Sequence, residues 1–246
     1  MFKLRNQELI ILIVTVVIFA GFSVFLDKFF SAGNLLTLMR SVSILGILSI
    51  AMAVVVISKG IDLSLIATLA VGTALASVLS SGDVLPSIDL PFIYAVILGF
   101  IFTAILCAMT GILVAYWDMA SVFVTLAMAG VIYGLGRTLF IQDERNYLPE
   151  DAAWLEFLGR GQLFGVPMPI ICFLILAIIM HLLLTKTTFG KFVYSIGDSG
   201  LAARTAGVPV RPILVMIFIL AGTVAYFAGL LTAGAISAIS TRIVAS

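Results

Sequence analysis

Seven stretches of this chain are continuously apolar and long enough, or nearly so, to cross a lipid bilayer. That constrains the fold more than anything else in the sequence. They run about 9–26, 41–58, 64–80, 92–116, 120–140, 169–185 and 213–234. A helix rises about 1.5 Å per residue, so about 20 apolar residues cover the roughly 30 Å hydrocarbon core. The runs do not alternate between apolar and polar residues, as the strands of a membrane barrel would. The expected fold class is all-α: a polytopic transmembrane helical bundle of about seven spans, treated as one domain over residues 1–246.

Composition closes off the other classes. Apolar residues make up 63% of the chain and charged ones 10%, against roughly 25% charged in soluble domains. A soluble protein of this size cannot hide that much apolar surface, because its buried fraction rises only slowly with size. The formal net charge of +1 gives no electrostatic footprint for nucleic acid. Cys107 and Cys172 both lie inside apolar runs, with no C-x-x-C spacing. They read as small buried hydrophobes rather than as a disulfide or a metal site.

Charge placement orients the spans, since Lys and Arg accumulate in cytoplasmic loops. Residues 186–212 carry Lys186, Lys191, Arg204 and Arg211 against Asp198. Residues 141–168 carry Asp143, Glu144, Glu150, Asp151 and Glu156 against Arg145 and Arg160. The first is expected inside, the second outside, and the N-terminus cytoplasmic; Lys28 and Arg40 fall on the outer side of this scheme. The first span follows Lys3 and Arg5 but lacks a small-x-small cleavage site, so it reads as a retained helix. Residues 27–40 are too polar to span and predict a short amphipathic helix in the interface. Residues 81–91, with Pro86 and Pro91, predict an outer turn.

Few residues carry chemistry. There is no G-x-x-x-x-G-K-[ST] phosphate loop and a single histidine, His181, so neither an ATP cradle of that kind nor a catalytic triad is expected. The stretch Lys59-Gly60-Ile61-Asp62-Leu63-Ser64 is unusual, because an ionisable residue beside two spans is costly. It reads either as a tight turn, with Gly60 ending span two and Asp62 capping span three, or as a direct contact for substrate or ion. Further on, Asp198 or Ser199 can cap about two helical turns over Leu201 to Ala206. Gly207 then supplies a left-handed terminus, with Pro209 just beyond. Ala202, Ala203 and Ala206 leave that helix slim, which suits either an ordinary surface helix or one that enters a cleft on a partner. Gly130 with Gly134, and Ala221 with Ala225 and Gly229, have the four-residue spacing of close helix packing, expected here inside the bundle.

Several of these residues together resemble one family. Leu45-Gly46-Ile47-Leu48 followed by Lys59-Gly60-Ile61-Asp62-Leu63-Ser64 is similar to the signature of the ribose-type sugar permeases, the membrane subunits of binding-protein-dependent ABC importers. Gly111 to Tyr116, Phe123 to Met128, and Phe157-Leu158-Gly159 with Gly165 to Pro169 resemble its following segments. Residues 189–207 resemble its ATPase-facing loop. The resemblance covers about residues 25–235, in order. Lys59 stands where the family usually has Gly, Ser199 where it usually has Asn, and Leu201 where it usually has an acid. The family also continues beyond the position of Ser246, so its C-terminal spans are expected to be lacking here.

The resemblance implies a bacterial inner-membrane, multi-pass permease without an ATPase site or cofactor of its own. Its implied partners are a cytoplasmic ABC ATPase that hydrolyses ATP, a periplasmic sugar-binding protein and a second permease subunit. It implies a coupling role for Gly190, Lys191, Gly197, Asp198, Ala202, Ala203, Arg204 and Gly207 in the loop at about 186–212. It also singles out Gly60, Asp62 and Ser64 between spans two and three. The rival readings are an ion-coupled secondary transporter using Asp62 and a non-transporting truncated membrane protein. No second copy of the 59–64 stretch supports the inverted repeat common in secondary carriers.

Overall fold

The computed structural model describes residues 6–81, 90–139, 145–147, 149–236 and 238–240. Their helices are α1 (Asn6–Phe25), α2 (Ala32–Ile57), α3 (Leu65–Ser81), α4 (Phe92–Tyr116), α5 (Ser121–Leu139), α6 (Ala153–Arg160), α7 (Met168–Lys186), α8 (Thr188–Asp198), α9 (Gly200–Thr205) and α10 (Val210–Ile236). Among the described residues, α2, α4, α5, α7 and α10 are long and apolar enough to cross a membrane, while Leu9–Phe25 of α1 and Leu65–Ser80 of α3 are shorter apolar segments. The chain is a helical, polytopic membrane protein.

It divides into two units, Met1–Val42 and Ser43–Ser246. In the first, Lys28 turns the chain with a φ of 64°. Ser31 Oγ accepts the Asn34 N–H at 3.3 Å to cap α2. The Phe19 and Phe22 rings pack on Phe29 at 5.4 and 5.7 Å. The short interface helix expected at 27–40 is not separate: from Ala32 onward those residues are the first turns of α2. Their polarity misleads because a hydroxyl there bonds within the helix, Thr37 Oγ1 donating to Gly33 O at 2.9 Å.

In the second unit α3 is central. From Ser64 to Ser80 every residue except Ile66 is buried. Helix α10 packs against α3, α4 and α6. Close approach depends on residues without bulk: a Cβ on Gly222 would strike Cys107 Sγ, and one on Gly111 would lie 2.8 Å from Val215 Cα. Ala221 and Ala225 are fully buried on the same seam. Gly130 and Gly134 are different, with open space where their Cβ atoms would sit. The inward face of α5 is set by Val124, Met128 and Ile132, at four-residue spacing, and Gly130 lies opposite it. The expected internal packing of that pair is therefore corrected.

Helices α3, α4, α5, α7 and α10 sort their connections to two ends. At one end Asp151 Oδ2 accepts the first amide of α4, Phe92 N–H, at 2.7 Å. Also there, strand β1 (Arg145–Tyr147), β2 (Gln162–Leu163), β3 (Val166–Pro167) and β4 (Ala238–Ser240) form two small antiparallel pairs, β1 with β4 and β2 with β3. Most of the turn expected at 81–91, residues 82–89, lies outside the described residues, as do Asp143 and Glu144. At the other end lie the α2–α3 connector, the α4–α5 connector, and α8 with α9.

Candidate functional site

The α2–α3 connector begins with a helix terminus of unusual composition. Gly60 N–H donates to Val55 O at 3.0 Å and Lys59 N–H to Val56 O at 2.9 Å. The residue in the left-handed region is Lys59, with φ 62°, and not Gly60 beside it. Gly60 instead makes a close approach, since a Cβ there would lie 3.0 Å from Val55 Cγ1.

Asp62, 4% exposed, accepts the Ser64 N–H at 2.8 Å and the Ser64 hydroxyl at 2.6 Å, both on Oδ1. Ser64 O then accepts the Thr68 N–H at 2.9 Å, which opens α3. Asp62 thus holds the residue before α3 in an Asx-type turn rather than bonding the first helical amides. Its Oδ2 is buried and has no hydrogen-bond partner among the described residues. Burial pushes the carboxyl above the usual aspartate value, and the two Ser64 bonds oppose that shift.

The start of α5 carries the other edge of the connector. Ile61 N–H donates to Ser121 Oγ at 3.0 Å and Leu63 N–H to Thr125 Oγ1 at 3.1 Å. These two hydroxyls were missed at the level of sequence. Their signal is an i, i+4 hydroxyl pair in the first turns of an otherwise apolar helix, but nothing local names its partner.

Helix α8 is likewise a helix where only a loop was expected. Phe189, Phe192, Val193 and Ile196 have the three- and four-residue spacing of a helix face. Thr187 Oγ1 caps α8 by accepting the Gly190 N–H at 3.3 Å. Gly190 and Gly197 are buried where backbones meet: a Cβ would collide with the Leu184 carbonyl at the first and the Ile57 carbonyl at the second.

Ser199, rather than Asp198, caps α9, accepting the Ala202 N–H at 3.3 Å. The far end closes as a Schellman motif: Gly207 has φ 85°, and Val208 N–H donates to Ala203 O at 3.0 Å. The three alanines do not share a face. Ala203 is 2% exposed, inside the core with Val193 and Ile213, while Ala202 and Ala206 are exposed. An open groove of about 760 Å³ runs between the end of α7, α8 and α9, with Lys191, Tyr194, Asp198 and Ala206 along it.

Both connectors reach this segment. Lys59 Nζ donates to Asp198 O at 2.9 Å. The Asp118 carboxylate, between α4 and α5, lies 4.0 Å from Arg204 and 3.9 Å from Arg211. Arg211 also sits 5.5 Å over the Tyr116 ring. The structure therefore brings Lys59 to Asp198, next to Gly197 at the end of α8, and separately brings Arg204 to Asp118. Asp62 and Ser64 stay on the α3 side of the connector, and Gly207 ends α9.

These features define a polytopic helical membrane protein with a capped helix pair, α8 and α9, outside its apolar spans. The sequence profile described as branched-chain amino acid transport system / permease component matches residues 34–245. The chain belongs to this permease family, which is a transport family and not an enzyme family. It is 32% identical over 238 residues to the L-arabinose ABC transporter permease protein of Azospirillum brasilense, covering 92% of this chain and 64% of that one. It is 35% identical over 208 residues to the ribose import permease protein of Bacillus subtilis, covering 84% and 62%. It is 30% identical over 239 residues to the fructose import permease protein of Rhizobium meliloti, covering 93% and 64%. The chain spans less than two thirds of the length of these relatives. They support the ribose-type sugar ABC permease resemblance seen in the motifs. No solved structure matches.

Proposed function

We propose that the chain is the membrane-spanning permease subunit of an ATP-driven importer, passing a sugar or sugar-like solute inward after a periplasmic binding protein delivers it. ATP is hydrolysed on a partner ABC ATPase, and the permease works beside a second permease subunit in the bacterial inner membrane. The N-terminus is cytoplasmic, so α8 and α9 face the cytoplasm. The observation that carries this reading is the α8–α9 pair itself. It is capped at both ends, seated on the core by Gly190, Gly197 and Ala203, and open along one groove. A pair capped and seated in this way suits a rigid docking element, and the chain belongs to a transport permease family.

The chain, purified in mild detergent from its native membrane, is expected to bring down vanadate-sensitive ATP hydrolysis. Membrane vesicles supplied with the binding protein are expected to take up labelled ribose, arabinose or fructose only while ATP is present. Uptake that persists without ATP and collapses with a protonophore would replace this reading with ion coupling through Asp62, which the unpartnered Oδ2 favours.

A further inference from the structure

Among the described residues four non-glycine residues have left-handed φ: Lys28, Lys59, Asp118 and Phe164. Two of them, Lys59 at 62° and Asp118 at 50°, occupy the α2–α3 and α4–α5 connectors at the same end of the bundle. Both are charged, and both direct that charge at α8–α9. Lys59 Nζ meets the Asp198 carbonyl at the C-terminal end of α8, where a helix presents its negative end. Asp118 lies beside Arg204 on α9 and Arg211 on α10.

Left-handed backbone is unfavourable for a residue with a Cβ, least so for aspartate, and glycine would make either turn freely. A strained conformation kept at a charged residue points to use of the side chain. Holding the fold together is a poor candidate for that use. Asp118 and its partners are roughly half or more exposed, and exposed ion pairs contribute little to stability. What these contacts do supply is direction. The α2–α3 connector leads straight into α3, the buried helix at the centre, and the α4–α5 connector joins the two helices beside it.

We propose that Lys59 and Asp118 are positioning residues that latch the two connectors to α8–α9. Movement of α8–α9 by the ATPase is thereby passed to α3 through Lys59, and to α4 and α5 through Asp118. The proposal rests on the reading of α8–α9 as the ATPase-facing segment. Gly197, pressed on the Ile57 carbonyl, keeps α8 seated against the end of α2 so that the Lys59 tie stays short.

The test uses Lys59→Gly and Asp118→Asn, which keep each turn accessible while deleting the charge, with Lys59→Arg and Asp118→Glu as conservative rescues. In the detergent-purified complex, backbone amides over 195–206 should exchange hydrogen about 2- to 10-fold faster in Lys59→Gly, the fold-change of losing one hydrogen bond. The melting temperature should hold, and Lys59→Arg should restore wild-type exchange. In proteoliposomes with the ATPase and binding protein, labelled sugar imported per ATP hydrolysed should fall at least several-fold in each deletion and further in the double variant. ATPase recovery should stay at the wild-type level.

Unchanged exchange would overturn the latch. Faster exchange with unchanged import per ATP would overturn transmission through it. A wild-type chain that recovers no ATP hydrolysis would overturn both the coupling reading and this proposal. The exchange measurement on that same chain would then show whether the ties exist without it.

Discussion

Placing Trp at Ala203 and at Ala206 separates folding from docking within one short helix. From spacing alone both alanines belong to one slim contact face. The structure turns Ala203 inward at 2% exposure, against Val193, Val210 and Ile213, and leaves Ala206 outside. An indole at Ala203 overpacks a filled core, which costs typically 1–3 kcal/mol and occasionally more. For a chain of this size each kcal/mol moves the midpoint of unfolding by about 2–4 °C, so a fall of about 2–12 °C is expected. At Ala206 a surface substitution stays within about 0.5 kcal/mol, or less than about 2 °C.

Docking should order the two variants the other way. If α9 enters a fitted cleft, Ala206→Trp should weaken ATPase binding by about 5- to 150-fold, the same 1–3 kcal/mol spent at the interface. The assays are thermal unfolding of the detergent-solubilised chain, followed by light scattering, and ATPase recovery normalised to permease recovered. Equal melting losses at the two positions would refute the inward–outward assignment. Undiminished ATPase recovery by Ala206→Trp would remove the outer face of α9 from the contact.

Three further outcomes are expected. Because burial raises the Asp62 carboxyl above its ordinary 3.8, the folded state holds that proton more tightly than the unfolded one. The contribution of Asp62 to stability is then fully present below about pH 3.8 and is lost as pH rises through the raised value; in melting scans against pH, Asp62→Asn should remove that component of the pH dependence. Gly222→Ala should drive its new Cβ into Cys107 Sγ and lower the melting temperature, while Cys107→Ala in the same chain should recover part of the loss. Thr125→Val strips the acceptor from Leu63 N–H, so it should cost about 1–3 kcal/mol and speed hydrogen exchange at Leu63.

Much of the bundle was legible because a long apolar run has few alternatives. The run read at 92–116 is α4 to the residue, and α10 extends the 213–234 run by a few residues at each end. Helix α9 was legible for another reason: Ser199 and Gly207 punctuate it locally, and caps act within a turn or two of their own residue. The readings that failed have separate causes. Residues 27–40 looked interfacial because they are too polar to span, yet from Ala32 onward they continue without a break into the apolar run of α2. A six-residue helix rich in alanine has no apolar stripe to say which alanine faces in, so only the surrounding core turns Ala203 inward. A Lys-Gly pair at a helix end assigns the left-handed residue to glycine by preference. The chain places it on Lys59, where the side chain reaches Asp198.

That last case shows why the bundle can be read more easily than the connectors at its end. The apolar spans offer few polar partners, so connector amides and charges that leave water must find them at the ends of neighbouring helices. The resulting bonds join residues 60, 62 and 139 positions apart. No periodicity reports separations of that size. Ser121 and Thr125 are ordinary hydroxyls until Ile61 and Leu63 arrive beside them, and Lys59 is an ordinary turn residue until α8 ends next to it. Once they meet, the connector is held on one edge by α5 and on the other by α8. A force applied to α8–α9 therefore has a direct mechanical route into α3.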